Sequence, residues 1–287
     1  MIGDTTTMSN EKSLDYSITF ACYNSVEYTK KCIDSMIKSG DDLSRLVIVD
    51  NGSTDQTQMY LQSLPLGGLI LNKTNLGCGV AWNQGAMSLQ SEWTIIMNND
   101  VIVSDDWIEN LIGAAKENNV KVISPALIEG DLDYDFDAFS TDAVDKLHGY
   151  TRVNDKHAVC LAIHESVWAE VGYFQAAPKL LGYEDTIFFN ELEKAHISTA
   201  ITGSSWLHHY GSITQSAMKK ERGLRSKDGL AYRYNSKLLK QNWIKRKINK
   251  LVRKKQQRKF LEYEMDQFGI SLHGVRKDGR FEWHHLL

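Results

Sequence analysis

The residues of this chain that are able to do chemistry come in short polar clusters, each placed next to an apolar run. Tyr23-Asn24 follows the run ending at Cys22, and Asp50-Asn51-Gly52-Ser53-Thr54-Asp55 follows Leu46–Val49. A carboxylate before Asn-Gly makes a tight turn and aims Asp50 off a sheet edge, whereas Ser53 and Asp55 serve equally well as turn and helix-cap residues. Asn75-Leu76-Gly77-Cys78-Gly79, running into Ala81, Asn83 and Gly85, is a glycine-rich helix entry whose N–H groups can face the charge of a nucleotide. Asn98-Asn99-Asp100 offers one carboxylate among amides. Oxygen ligands of that kind suit Mg²⁺ or Mn²⁺ with a diphosphate, although a β-turn explains the triplet equally well. Glu184-Asp185 is an acid pair at a helix start, where the helix dipole alone favours acids. Last come His208 and His209 in Trp206-Leu207-His208-His209-Tyr210-Gly211. In extended chain, one ring of such a pair faces inward and the other outward.

These clusters have to be held by a scaffold, and the apolar pattern supplies one. Ser17–Cys22, Leu46–Val49, Gly68–Leu71, Trp93–Met97 and Val120–Ser124 read as strands. Between them Val26–Lys38, Asp55–Leu64, Gly79–Leu89 and Asp105–Glu117 read as helices, the last with Trp107, Ile108, Leu111 and Ile112 on one face. Strands alternating with helices predict βαβ units and a mostly parallel, Rossmann-like sheet flanked by helices, with ligands beyond the carboxyl ends of the strands. Val159–Ile163, His164–Val171, Asp185–Ala195 and Ile197–Ile201 continue the same α/β domain as strand, helix, helix and strand. Residues 129–156, rich in Asp, are expected to form a long functional loop or short hairpin. From about Gln215 to Phe268 a Lys/Arg-rich helix follows, and Ser271–Trp283 reads as a hairpin turning at Asp278-Gly279. The expected division is a catalytic domain over 1–215 and a basic helical extension with a terminal hairpin over 216–287.

With 287 residues and 42% hydrophobic content, the chain can bury a substantial core. The net charge of -3 conceals an acidic stretch at 129–145 and a basic one at 237–259. The cysteines Cys22, Cys32, Cys78 and Cys160 are scattered without CxxC spacing, and Cys22 and Cys78 are expected to be buried small residues in a reduced protein. The polar start carries no apolar signal segment and no run is long enough to span a bilayer, so the expectation is a cytoplasmic protein, soluble or peripheral on the inner membrane face. A GxGxxG reading of Gly77 and Gly79 fails because position 82 is Trp82, which argues against a nicotinamide or flavin site. GxxxxGK[ST], HExxH and GxSxG are all absent from the sequence.

In order, SITFACYN, VIVDNGSTD, NLGCGVAWNQG, MNNDVIV, VWAEVGYF, GYEDTIFFNELEKAHI and WLHHYGS resemble family 2 of the inverting glycosyltransferases, which have the GT-A fold. The likeness covers roughly residues 16–215, and the NLGxGxAxNxG and NND forms are most similar to the branch of rhamnosyl- and related bacterial polysaccharide transferases. The resemblance implies that Asp50 contacts the base or ribose of a UDP- or dTDP-sugar. Tyr23, Asn24, Asn51, Ser53, Asn75, Gly77, Asn83, Asn98 and Asn99 would line the same nucleotide-sugar site. It further implies that Asp100 and a histidine hold Mn²⁺ or Mg²⁺, with spacing to Gly211 favouring His208 over His209. Asp185 would be the general base and Glu184 would position substrate. Two departures stand out: Ala21-Cys22 replaces the usual proline, and Asn98 replaces the first acid of the Asp-x-Asp, leaving less charge for the metal. The acceptor implied is a glycan or lipid-linked saccharide in cell-surface polysaccharide synthesis.

Between Lys237 and Lys259, Leu238, Leu239, Trp243, Ile244, Ile248, Leu251 and Val252 recur at helical intervals among Lys and Arg. A helix packed on the catalytic domain, or one lying on an anionic membrane, would both read so, while no module for nucleic acid accompanies the charge. The competing functional classes are a nucleotide-sugar hydrolase, which would turn over donor without acceptor, and a non-catalytic nucleotide-sugar binding module.

Overall fold

The computed structural model describes residues 14–175, 184–211, 213 and 243–283. The strands β1 (Tyr16–Cys22), β2 (Leu46–Asp50), β3 (Gly68–Leu71) and β4 (Trp93–Asn98) pair in parallel in the order β3-β2-β1-β4. Their crossovers contain α1 (Val26–Lys38), α2 (Thr57–Gln62) and α3 (Cys78–Ser88). Every residue of β2 is buried, as its unbroken apolar run requires of a strand covered on both faces. The chain steps outward from β1 to β3 and then returns past β1 to lay down β4. Strand order thus reverses between β1 and β4, which opens a crevice at their carboxyl ends.

The second half adds β5 (Val101–Val103), α4 (Trp107–Glu117), β6 (Val122–Gly130), α5 (Phe136–Leu147), β7 (Thr151–Val153), β8 (Cys160–His164), α6 (Glu165–Val171), α7 (Glu184–Lys194), β9 (Thr199–His209), α8 (Trp243–Phe268), β10 (His273–Lys277) and β11 (Arg280–Trp283). Among the described residues the strands form one sheet of 11, in which β8 runs antiparallel to β4 and β6. The buried faces of α1 and α4 pack on one side, with Trp107, Ile108, Leu111 and Ile112 fully enclosed. Trp82, Phe174 and Phe188 gather a second cluster under α3 and α7.

Three sequence expectations change. Residues 129–156 are not an irregular loop: they hold α5, capped where Asp135 accepts the Ala138 N–H at 3.0 Å. Its acids face solvent while Phe136, Ser140, Ala143 and Leu147 are buried at helical intervals. The strands expected at Val120–Ser124 and Ile197–Ile201 run much further, to Gly130 and His209, because β6 and β9 pair in parallel along their lengths across a register shift at Pro125/Ala126. Cys78 is exposed, whereas Cys22, Cys32 and Cys160 are buried free thiols.

The hairpin read at the C-terminus is present, turning through Asp278 and Gly279 with φ of 50° and 73°, as a primed turn demands. β10 pairs in parallel with β6, so the hairpin extends the main sheet. Glu264, on the packed face of α8, is wholly buried and bonds Arg152 Nε at 2.9 Å, Tyr150 Oη at 2.9 Å and the Leu272 N–H at 3.2 Å. That network pins the end of α8 to β7 and to the start of β10. Earlier in α8, Ile248, Leu251 and Val252 are more than half exposed. The basic segment from Gln215 to residue 242, including Leu238 and Leu239, and the Gly182-Tyr183 pair lie outside the described residues. No helix of the described residues is long and apolar enough to cross a membrane.

Candidate active site

The polar clusters stand where the topology opens the crevice, at the carboxyl ends of β1, β2 and β4 and at the entry to α3. At the first two ends the side chains mostly bond one another. Asp50 is fully buried, and its Oδ2 accepts the N–H groups of Gly52 and Ser53 at 3.2 and 3.0 Å and the Gln58 amide at 2.7 Å. Asn24, at a φ of 53°, accepts the Thr54 N–H at 2.8 Å, while its own N–H donates to Ser53 Oγ at 2.8 Å. Tyr23 lies beside it, half-buried at the end of β1.

An amide network joins these turns to α3. Asn51 donates to the Gly77 carbonyl at 3.3 Å, and Asn72 bridges Asn51 and Gln84, each at 2.9 Å. Asn75 accepts the Gly77 N–H at 3.0 Å. Gly77 itself has φ 92° and ψ 162°, a conformation open essentially only to glycine, and it turns the chain into α3. Asn83 bonds the Phe174 backbone in both directions, at 2.7 and 3.0 Å, and so ties α3 to the segment ahead of α7.

The acids converge across the crevice. A Cβ at Gly79 would stand 2.8 Å from Glu184 Cγ, so the absent side chain lets the start of α7 seat on the start of α3. Glu184 is buried, and Asp185 beside it is partly so. Burial raises the Asp185 carboxyl above its ordinary range, while Thr186 holds its Oδ1 at 2.7 Å. Cys78, the first residue of α3, lies within electrostatic reach of Glu184, Asp100 and Asp185.

At the end of β4, Asn99 is buried and donates to Thr29 Oγ1 at 2.9 Å, a packing role. Asp100 is buried beside it, and its Oδ1 lies 3.2 Å from His209 Nε2, with the Asn98 amide 3.3 Å from the same nitrogen. The structure thus sets His209, not His208, next to Asp100. The reason is alternation in β9: His208 points to the other face, where its Nδ1 meets Tyr134 Oη at 2.9 Å among Phe136, Tyr134 and Tyr210. Burial pushes His208 down to about 4 and leaves it neutral. Burial opposes charge on His209 too, but its bonds to Asp100 and Glu129 outweigh this and carry it up to about 9.

Asp100 and His209 fit a hard or borderline divalent ion, since a carboxylate oxygen and an imidazole nitrogen converge on one buried point. Among the described residues there is no group of three or more His, Cys, Asp or Glu that could hold a metal, and Mg²⁺ is commonly held by one or two protein carboxylates together with substrate phosphates and water. Reading along the chain missed Gln58, Asn72, Gln84 and Glu129. The partners of Asn72, Gln84 and Glu129 lie 12 or more positions away, and although Gln58 reaches back only to Asp50 and Ser53, no local pattern marks any of the four.

The chain is similar to known glycosyltransferases in sequence and in fold. An uncharacterized glycosyltransferase of Haemophilus influenzae is 26% identical over 107 residues, 36% of this chain and 33% of that protein. GlyG, a glycosyltransferase of Streptococcus pneumoniae, is 25% identical over 111 residues, 37% of each chain. The matches thus span little more than a third of these relatives. Among solved structures, GalNAc-T7 with UDP, GalNAc and Mn²⁺ superposes with a TM-score of 0.54 at 14% identity, over 70% of this chain and 44% of its own. The mannosyltransferase PcManGT of Pyrobaculum calidifontis, with GDP-Man and Mn²⁺, gives 0.52 at 15% identity, over 74% and 61%. Both likenesses establish the fold as GT-A. The family model for glycosyl transferase family 2 matches residues 17–194, well over half of the sequence, and the chain belongs to that family.

Proposed function

We propose that the chain transfers a sugar, with inversion, from a UDP- or dTDP-sugar to a hydroxyl of a glycan or lipid-linked saccharide, using Mn²⁺ or Mg²⁺. The observation that carries the proposal is the convergence of Asp100 and His209 with Glu184 and Asp185 around the entry of α3. Both solved neighbours hold a nucleotide and Mn²⁺, which supports a nucleotide-sugar donor and a metal here. Rhamnose or a related deoxyhexose is the sugar class the NLGCG and NND motifs favour.

The residues divide the work. The start of α3, opened by Gly77, presents N–H groups to the diphosphate. Asp100 and His209 would hold the metal, which when bound neutralises the charge of the departing diphosphate. Asp185, its carboxyl raised by burial, accepts the proton of the acceptor hydroxyl as that oxygen attacks C1. Glu184, buried against Gly79, fixes the acceptor side. Asp185→Asn is expected to lower turnover roughly 10²–10⁴-fold with donor binding intact. Binding is read as thermal stabilisation by UDP, dTDP and GDP, each with and without Mn²⁺, where ligand at a hundred times its Kd adds about 2.7 kcal/mol. No stabilisation by any nucleotide would sink the proposal. Undiminished donor turnover without acceptor would make the chain a hydrolase.

A lipid-linked acceptor is favoured by α8, whose exposed Ile248, Leu251 and Val252 stand among Lys247, Arg253, Lys254 and Lys255. Such a face matches an anionic bilayer, and sedimentation with phosphatidylglycerol vesicles, compared with phosphatidylcholine alone, tests it.

A further inference from the structure

Asp100 and His209 end a longer chain of polar contacts that reaches the C-terminal hairpin, buried at both rings and partly exposed at Glu129, whose side chain is 31% exposed. His209 Nδ1 lies 3.2 Å from Glu129 Oε1, and the other oxygen of that carboxylate lies 3.2 Å from His273 Nε2. The three side chains come from adjacent strands: β6 lies between β9 and β10. Glu129 is paired directly with His209, while His273 is paired with Leu127, two residues earlier on β6 and therefore on the same face as Glu129. The side chains of His209 and His273 are 7% and 4% exposed.

From this geometry we propose that Glu129 and His273 are positioning residues for the metal pair, holding the His209 ring with Nε2 turned to Asp100. The inference rests on the reading of Asp100 and His209 as the metal-binding pair. An imidazole that ligates through one nitrogen is oriented by what its other nitrogen meets, and a carboxylate there fixes both tautomer and ring plane. A carboxylate on a single bond would itself swing. Glu129 does not, because His273 holds its second oxygen.

The His273 ring has one hydrogen-bond partner among the described residues, Glu129. Its Nδ1 has no hydrogen-bond partner among the described residues, and burying a polar atom so costs stability that an apolar residue at that position would avoid. The neighbouring Ser271 and Leu272 both bond Glu264, whose anchorage to Arg152 delivers His273 to its place. His209 and His273 both lie beyond the residues that match the family, 17–194. The matched region thus contributes Asp100 and Glu129, and the C-terminal segment contributes both rings.

The test is Mn²⁺ affinity of the full chain, titrated by the electron paramagnetic resonance signal of free Mn²⁺ in the presence of UDP, dTDP or GDP. Glu129→Gln and His273→Leu are each expected to weaken Mn²⁺ about 10–100-fold. His273→Gln, whose amide can still donate to Glu129, should stay within about threefold of the parent by the same logic. Thermal midpoints without metal separate the readings, since a purely structural pair would lower the midpoint and leave the affinity of the folded protein unchanged. Unchanged Mn²⁺ affinity in Glu129→Gln and His273→Leu would overturn the proposal. If His273→Leu fails to fold, Glu129→Gln against His273→Gln carries the same contrast. A parent chain that binds no Mn²⁺ with any of the nucleotides would instead overturn the metal-site reading itself, and this inference with it.

Discussion

The two ends of the crevice use polar residues in opposite ways. At the end proposed to hold the nucleotide, Asp50, Asn24, Asn51, Asn72 and Asn83 direct their side chains at backbone groups or at one another. What these residues offer a ligand is loop shape: N–H groups and carbonyls fixed in place before anything binds. At the end proposed to hold the metal, Asp100 and His209 bring their own ionisable atoms together, and Glu129 meets the far nitrogen of the same ring. On the proposed reading, polar motif residues serve as scaffold at one end and as reagents at the other. Substitutions should separate the two: the first kind should cost stability and the second activity.

The largest effect expected is on turnover. Asp100→Asn should lower kcat roughly 10²–10³-fold, the loss typical when one electrostatic contact to developing charge is removed, with a thermal midpoint within a few degrees of the parent. Asp50→Ala should do the reverse. It leaves the Gly52 and Ser53 N–H groups and the Gln58 amide without their shared acceptor, for a loss of about 3 kcal/mol in chemical denaturation. Should Asp50→Ala keep its stability and lose only donor affinity, the division between the two ends breaks down, and Asp50 acts on the ligand directly.

A smaller effect sharpens the same division. Asn83 lies on the glycine-rich helix entry, where a role in binding the nucleotide-sugar is the natural expectation. The structure gives its amide to both backbone groups of Phe174. Asn83→Ala is expected to cost about 2 kcal/mol and to loosen the segment that leads to α7, read by hydrogen exchange at 172–175. A change in nucleotide affinity without a change in stability would return Asn83 to the binding site.

Legibility in the sequence followed the range of the interactions concerned. Strands β1 to β4 and their helices were readable because a buried parallel strand is an unbroken apolar run, and a crossover helix shows its stripe within a dozen residues. Helix α5 carried the same stripe in Phe136, Ser140, Ala143 and Leu147, but the acids between them read as loop composition. The choice between His208 and His209 could not come from local pattern. Adjacent residues of a strand always face opposite ways, and only the pairing of β9 with β5 and β6 decides which ring meets Asp100. Glu129 and His273 are further still from view, because β10 arrives beside β6 from 144 positions along the chain.

Asp41 gives the smallest effect and an internal reference for buried carboxylates outside the crevice. It follows α1 and, among the described residues, accepts only the Trp107 indole N–H, at 2.8 Å, where Asp50 accepts several donors. Burial lifts its pKa to about 6, with the Trp107 bond pulling the other way. Because the folded state holds this proton more tightly than the unfolded chain, the stabilising contribution is complete below about pH 4. It is lost as pH rises through about 6. After allowance for the partial exposure of the group, the change is about 1–2 kcal/mol. Asp41→Asn should flatten the stability profile by that amount between pH 4 and 6.5 and leave the protein slightly more stable at pH 7, measured by urea midpoints across the range. A parent profile already flat over this window would show that one indole donor is enough to keep a buried carboxylate charged. The dense donor set around Asp50 would then have to be explained by the shape it imposes on its turn, not by the charge it has to carry.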